Sequence, residues 1–160
     1  MTNYRGEIDG LRAIAVLSVL TYHFFPDSTE YFFKGFLGVD VFFVLSGYLI
    51  SLHLFCDLVD KKMSLRAFYT KRAKRILPVA FFVLLLTTIV AVLVFVPYDL
   101  EQYFKSLLAS ILFVPNIYFW KTGGYFGDVD ALKPLLHFWS LGVEEQFYLF
   151  FPVSLIIAFK

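Results

Sequence analysis

The run from Leu77 to Val96, LPVAFFVLLLTTIVAVLVFV, holds no charged side chain. A helix needs about 20 mostly apolar residues to cross the hydrocarbon of a bilayer, and this run supplies them. Pro78 falls in its first turn, where a proline is tolerated. Lipid offers the backbone no hydrogen-bond partners, so a chain with such a run folds there as helices or a closed barrel. Water is not an adequate solvent for the rest either. Of 160 residues 59% are hydrophobic and only 17% charged, and a chain this short cannot hide so much apolar surface in one core.

Four further segments share this character. Phe36 to Phe55 is interrupted by Asp40 and His53, and Ile8 to Phe25 contains Asp9, Arg12 and His23. Residues 107–120 form a shorter segment with Pro115 near its middle, which allows a kink or a re-entrant path. Residues 138–159 form a fifth, containing Glu144 and Glu145. The expected fold is therefore all-α, a polytopic transmembrane bundle with segments near 8–25, 36–55, 77–96, 107–120 and 138–159. There is no secretory cleavage pattern, and the polar and charged residues inside the first apolar run have the look of functional ones, so it reads as a retained helix. The single cysteine, Cys56, excludes an intrachain disulfide and a cysteine-based zinc site.

Half of the basic residues, seven of the 14, lie between Lys61 and Arg75. The positive-inside rule places that stretch in the cytoplasm. Counting back over two spans puts the N-terminus there too, with residues 26–34 and 97–105 facing outward. The loop 121–137 faces inward if the fourth segment crosses fully. A net charge of +1 gives no reason to expect nucleic acid.

Charge at membrane depth is costly and usually faces a bundle interior or a cavity. Arg12 and His23 fall on nearly one helical face, about 16 Å apart along the axis. The first would sit near the inner entrance and the second deep in the outer half, where an imidazole is a natural general base. A snorkelling arginine and an interfacial histidine are the plainer alternatives. Asp40 could share the depth of His23 and orient it, or simply complement a helix N-terminus. Ser46 and Gly47 read as a small-residue packing site between helices. Arg72 and Arg75, at i and i+3 before Pro78, make a fork suited to phosphate, or else ordinary surface charge for lipid headgroups. His137 and Glu144 share a face in HFWSLGVEEQFYL, with Tyr148 one turn further and Glu145 to the side. His53 reads as interfacial. No metal is expected.

Together the segments YRGEIDGLRAIAVLSVLTYHF, GVDVFFVLSGYLI, FYTKRAKRILP and LLHFWSLGVEEQFYLFFP resemble the membrane acyltransferase-3 family, nearest to its bacterial cell-envelope polysaccharide O-acetylase branch. Each is moderately specific; their order and spacing together are highly so. The resemblance implies an inner-membrane enzyme that moves an acyl group, acetyl being the expected one, from cytoplasmic acyl-CoA to a hydroxyl of an envelope sugar or glycolipid such as lipopolysaccharide. It implies a catalytic role for His23 and donor contacts for Arg72 and Arg75, and it matches Arg12 and Glu144. Read from the residues themselves, Asp40 joins His23 and Glu144 as a catalytic candidate, Arg12 lines the donor path, and His137, Trp139 and Glu145 are candidate substrate contacts. The bilayer, the donor and the saccharide are the expected partners.

Family members usually have about ten spanning helices, so the chain resembles an N-terminal half whose partner is the missing second half. Its activity alone is in doubt. Two rivals remain open: half of a transporter or permease, which gives no reason for the surface arginine pair, and a non-catalytic membrane scaffold.

Overall fold

The computed structural model describes residues 5–25, 36–123 and 133–159. Among these residues there are six helices and no strand: α1 Gly6–Phe24, α2 Leu37–Val59, α3 Leu65–Val94, α4 Pro97–Ile111, α5 Pro115–Lys121 and α6 Phe138–Ala158. The all-α expectation holds. Three of the helices, α2, α3 and α6, are long and apolar enough to cross a membrane. α1 carries Glu7, Asp9 and Arg12 in its first half and falls outside that group. Val79, Phe82, Leu85, Leu93 and Val94 of α3 are all more than half exposed. In water such a face would aggregate; in lipid it meets its own kind. The chain divides into two units, Met1–Met63 and Ser64–Lys160.

In the first unit α1 and α2 pack antiparallel. Tyr22 meets Phe36 edge to face at 6.2 Å, and at the opposite end Arg5 donates to the Tyr48 hydroxyl at 2.9 Å. Between them the backbones nearly touch. A Cβ on Gly38 would lie 2.5 Å from the Ala15 carbonyl oxygen and 2.8 Å from Val19 Cγ2. The close approach expected of Ser46 and Gly47 is made here instead, because a Cβ on Gly47 would meet nothing within 4 Å. Gly38→Leu should therefore force the helices apart and cost about 1–3 kcal/mol. Melting in detergent micelles should show the loss for Gly38→Leu and spare Gly47→Leu.

The second unit differs from the sequence reading in two places. α3 starts at Leu65, not Leu77, with the Ser64 hydroxyl accepting the Ala67 N–H as its N-cap. The basic stretch and the apolar span are one helix, and Pro78 lies inside it. A proline at 78 removes the N–H that would bond the Lys74 carbonyl. Lys74, whose carbonyl loses that bond, is exposed.

The fourth segment does not cross as one helix. α4 closes in a Schellman motif, with Phe113 N–H on the Ser110 carbonyl (3.2 Å) and Val114 N–H on the Ala109 carbonyl (2.9 Å). Phe113 takes the left-handed conformation there, at φ 56°, and Pro115 opens α5 at its first turn. α5 then folds back along α4, bringing the Tyr118 hydroxyl to 3.5 Å from Gln102 Oε1. The chain re-emerges on the side it entered, so the condition that put loop 121–137 inward is not met. That loop lies partly outside the described residues.

Ala80, Leu84 and Ala91 give α3 a narrow face that packs with Tyr103, Phe119, Leu135 and Phe138 into one buried cluster. The buried Tyr103 hydroxyl shares a hydrogen bond with Thr88 Oγ1 at 2.8 Å, so its polar end is satisfied. The outer face of α4 carries the exposed Glu101–Lys105 pair at 2.7 Å. Its hydrogen bond to Lys105 holds the Glu101 carboxyl below the usual carboxylate range.

Candidate active site

On α3, Phe68 and Arg72 are one turn apart. The Arg72 guanidinium lies 5.7 Å from the Phe68 ring centroid and 5.0 Å from that of Tyr148 on α6. This is cation–π distance. The Tyr148 hydroxyl donates to the Glu144 carboxylate one turn back. Alongside, the Tyr69 hydroxyl donates to the Leu149 carbonyl at 2.9 Å, tying the two helices together. A cation, an aromatic ring and a carboxylate thus follow one another where the basic end of α3 passes α6. Oε1 of Glu145 is buried with no hydrogen-bond partner among the described residues.

Arg75, the second arginine of the pair, is exposed. Neither arginine gives an N–H to a protein acceptor among the described residues. Arg72 is held by a ring face, which leaves its donor edge available, and Arg75 is open to solvent. Guanidinium N–H groups so placed suit phosphate oxygens.

The opposite face of α6 sets its position. A Cβ on Gly142 would lie 2.9 Å from Pro115 Cδ and 3.1 Å from Asn116 Oδ1, so only glycine lets α5 approach there. One turn on, Gln146 and Asn116 exchange two hydrogen bonds, at 2.9 and 3.2 Å. Gln146 Nε2 also donates to the Phe113 carbonyl at 3.0 Å. One side chain therefore grips the α4–α5 bend while the other side of its helix offers Glu144 and Tyr148 to Arg72.

In the first unit, His23 Nδ1 lies 2.8 Å from the Val19 carbonyl oxygen. A carbonyl can only accept, so Nδ1 carries a proton, and in the neutral ring the lone pair lies on Nε2. His53 makes the same bond to the Leu49 carbonyl at 2.6 Å. Arg12 pairs with Asp9 at 3.4 Å. The α1–α2 register opposes Gly38 to Ala15 and Val19, which sets the exposed Asp40 roughly two helical turns from His23 along the axis. His137 is exposed at the start of α6, 4.9 Å from the Phe138 ring, and Trp139 packs against the buried cluster. The structure thus links Arg72 to Glu144 through Tyr148.

The acyltransferase domain family matches residues 5–159, which contain every side chain just described. The chain belongs to that family. It is 38% identical over 157 residues to the O-acetyltransferase OatA of Staphylococcus aureus strain NCTC 8325, covering 98% of this chain. It is 42% identical over 155 residues, 96% of this chain, to a candidate O-acetyltransferase of S. aureus strain MSSA476. In each case it spans 25% of the relative's length. No solved structure matches it.

In this acyltransferase domain the sequence points to the charged residues and misses their support. Asn116 and Gln146 are the residues missed. A signal was present, since an amide inside an apolar run needs a partner, and LFVPNIYFW and GVEEQFYL each supply one. Spacing cannot pair them, because they meet only after the chain turns at Phe113.

Proposed function

We propose that this chain forms part of an inner-membrane O-acyltransferase, N-terminus in the cytoplasm, that moves an acetyl group from acyl-CoA to a cell-envelope sugar hydroxyl. The observation that carries the reading is the arginine pair at the basic end of α3. Its N–H groups meet no protein acceptor among the described residues, and Arg72 lies over the Tyr148 ring, whose hydroxyl is on Glu144. Arg72 and Arg75 would hold donor phosphates, and Arg12 would line the donor path. His23 Nε2 would take the proton of the sugar hydroxyl as its oxygen attacks the thioester carbonyl carbon. The carbon–sulfur bond then breaks and CoA leaves as a thiolate that picks up a proton. Glu144 would orient substrate, with His137, Trp139 and Glu145 contributing to its seat.

Arg72→Lys together with Arg75→Lys keeps the charge and the topology signal but loses the planar fork. The double variant should bind acyl-CoA at least about tenfold more weakly, a difference of roughly 1.4 kcal/mol, and should insert normally. Titration calorimetry in detergent measures it. Equal affinity would reduce these arginines to topology signals. A transporter half, by contrast, should not bind acyl-CoA at all.

A further inference from the structure

At the opposite end of α3 from Arg72, the second unit contains a cavity of about 320 Å³. That is within the range of small-molecule sites. It is built by the start of α4, the end of α5 and residues 133–134 ahead of α6. Tyr98, Asp99, Gln102, Tyr118, Thr122 and Lys133 line it, with the buried Tyr103 and Phe119 deeper in. The α4–α5 turn-back creates it, by returning Tyr118 and Thr122 to the level of Gln102 and Tyr98.

The lining selects a class of ligand. One acidic and one basic side chain balance, so a phosphate or carboxylate gains little. Amide, carboxylate, hydroxyl and ammonium groups interrupt the wall, so an acyl chain matches it poorly. Tyrosine rings combine a flat apolar face with a polar edge. A sugar ring matches both, with C–H groups on its faces and hydroxyls around its rim. The position agrees. From Arg72 to Val94 is about 33 Å of helix, so the cavity lies a span's length along α3 from the proposed donor site.

We infer that this cavity is a docking site for a neutral sugar ring of the acceptor, an inference that rests on the acyltransferase reading above. It can be tested on the protein in detergent micelles by saturation-transfer NMR with chitotetraose and maltotetraose as probes. At least one should receive saturation from the protein. Tyr118→Ala combined with Gln102→Ala should reduce the transfer about fivefold or more. Thr122→Trp should do the same by filling the space while leaving the buried cluster intact, which guards against a variant that fails to fold. Absence of transfer to both sugars, or unchanged transfer in a folded Thr122→Trp variant, overturns the inference. Acyl-CoA binding measured on the same unmodified protein keeps the two readings apart. Donor binding without sugar binding removes the cavity assignment alone, and sugar binding without donor binding removes the transferase reading alone.

Discussion

His23→Gln should lower acyl transfer about 10²- to 10⁴-fold while expression and membrane insertion stay at the parent level. A sugar hydroxyl has a pKa far above 7 and is a poor nucleophile until a base takes its proton. Neutral imidazole has nearly the right basicity, provided the lone pair is on the nitrogen that faces the substrate. The bond from Nδ1–H to the Val19 carbonyl leaves that lone pair on Nε2. Glutamine keeps comparable size and hydrogen-bonding capacity but cannot accept the proton. The assay is transfer of labelled acetyl from acyl-CoA to acceptor, with membrane content measured in parallel. Incubation with labelled donor alone separates two roles: protein-bound label that passes on to acceptor would make His23 an acyl carrier, and its loss could cost more than a general base does. Near-parental activity in His23→Gln would make the histidine structural and send the search for the base to Asp40, Glu144 and Glu145.

Whatever depends on one helix at a time was legible in the sequence. Charge-free or nearly charge-free runs locate α2, the apolar part of α3 and α6. The i, i+4 spacing puts Tyr148 one turn from Glu144, and the structure shows that hydroxyl on that carboxylate. One feature of a single helix, the start of α3, was not legible, and the rest of what failed depends on how helices meet. Pro78 was placed in a first turn because the charges before it suggested a loop, yet lysine and arginine are good helix formers and Ser64 caps the helix well upstream. Phe113 gave no warning of a turn, because the left-handed position that closes α4 usually falls to glycine. Gly38 lies in the same apolar run as Gly47, and composition cannot say which of the two touches α1.

The bend at Phe113 leads to the other large effect, which belongs to Gln146. Its amide is the hydrogen-bond partner of the Phe113 carbonyl and exchanges two bonds with Asn116. Gln146→Leu keeps an apolar helix face but orphans that carbonyl and the Asn116 amide. Orphaned groups cost about 1–3 kcal/mol each when buried, so the variant should lose about 2–5 kcal/mol. Lipid complicates the number. Hydrogen bonds between membrane helices average only about 0.6 kcal/mol, because the separated helices find other partners. A double-mutant cycle decides between these figures. Asn116→Leu with Gln146→Leu leaves only the Phe113 carbonyl unpaired, so the pair should be less unstable than the sum of the single changes by about 1–2 kcal/mol. Reversible unfolding of the purified protein in mixed micelles gives the four values. Strict additivity would mean that the amide pair is incidental, and that α6 is positioned by the Gly142–Pro115 contact alone. If the clamp acts as described, the Gln146 variant should also bind acyl-CoA more weakly although Gln146 touches no donor group, since the face of α6 that carries Glu144 and Tyr148 would no longer be held against Arg72.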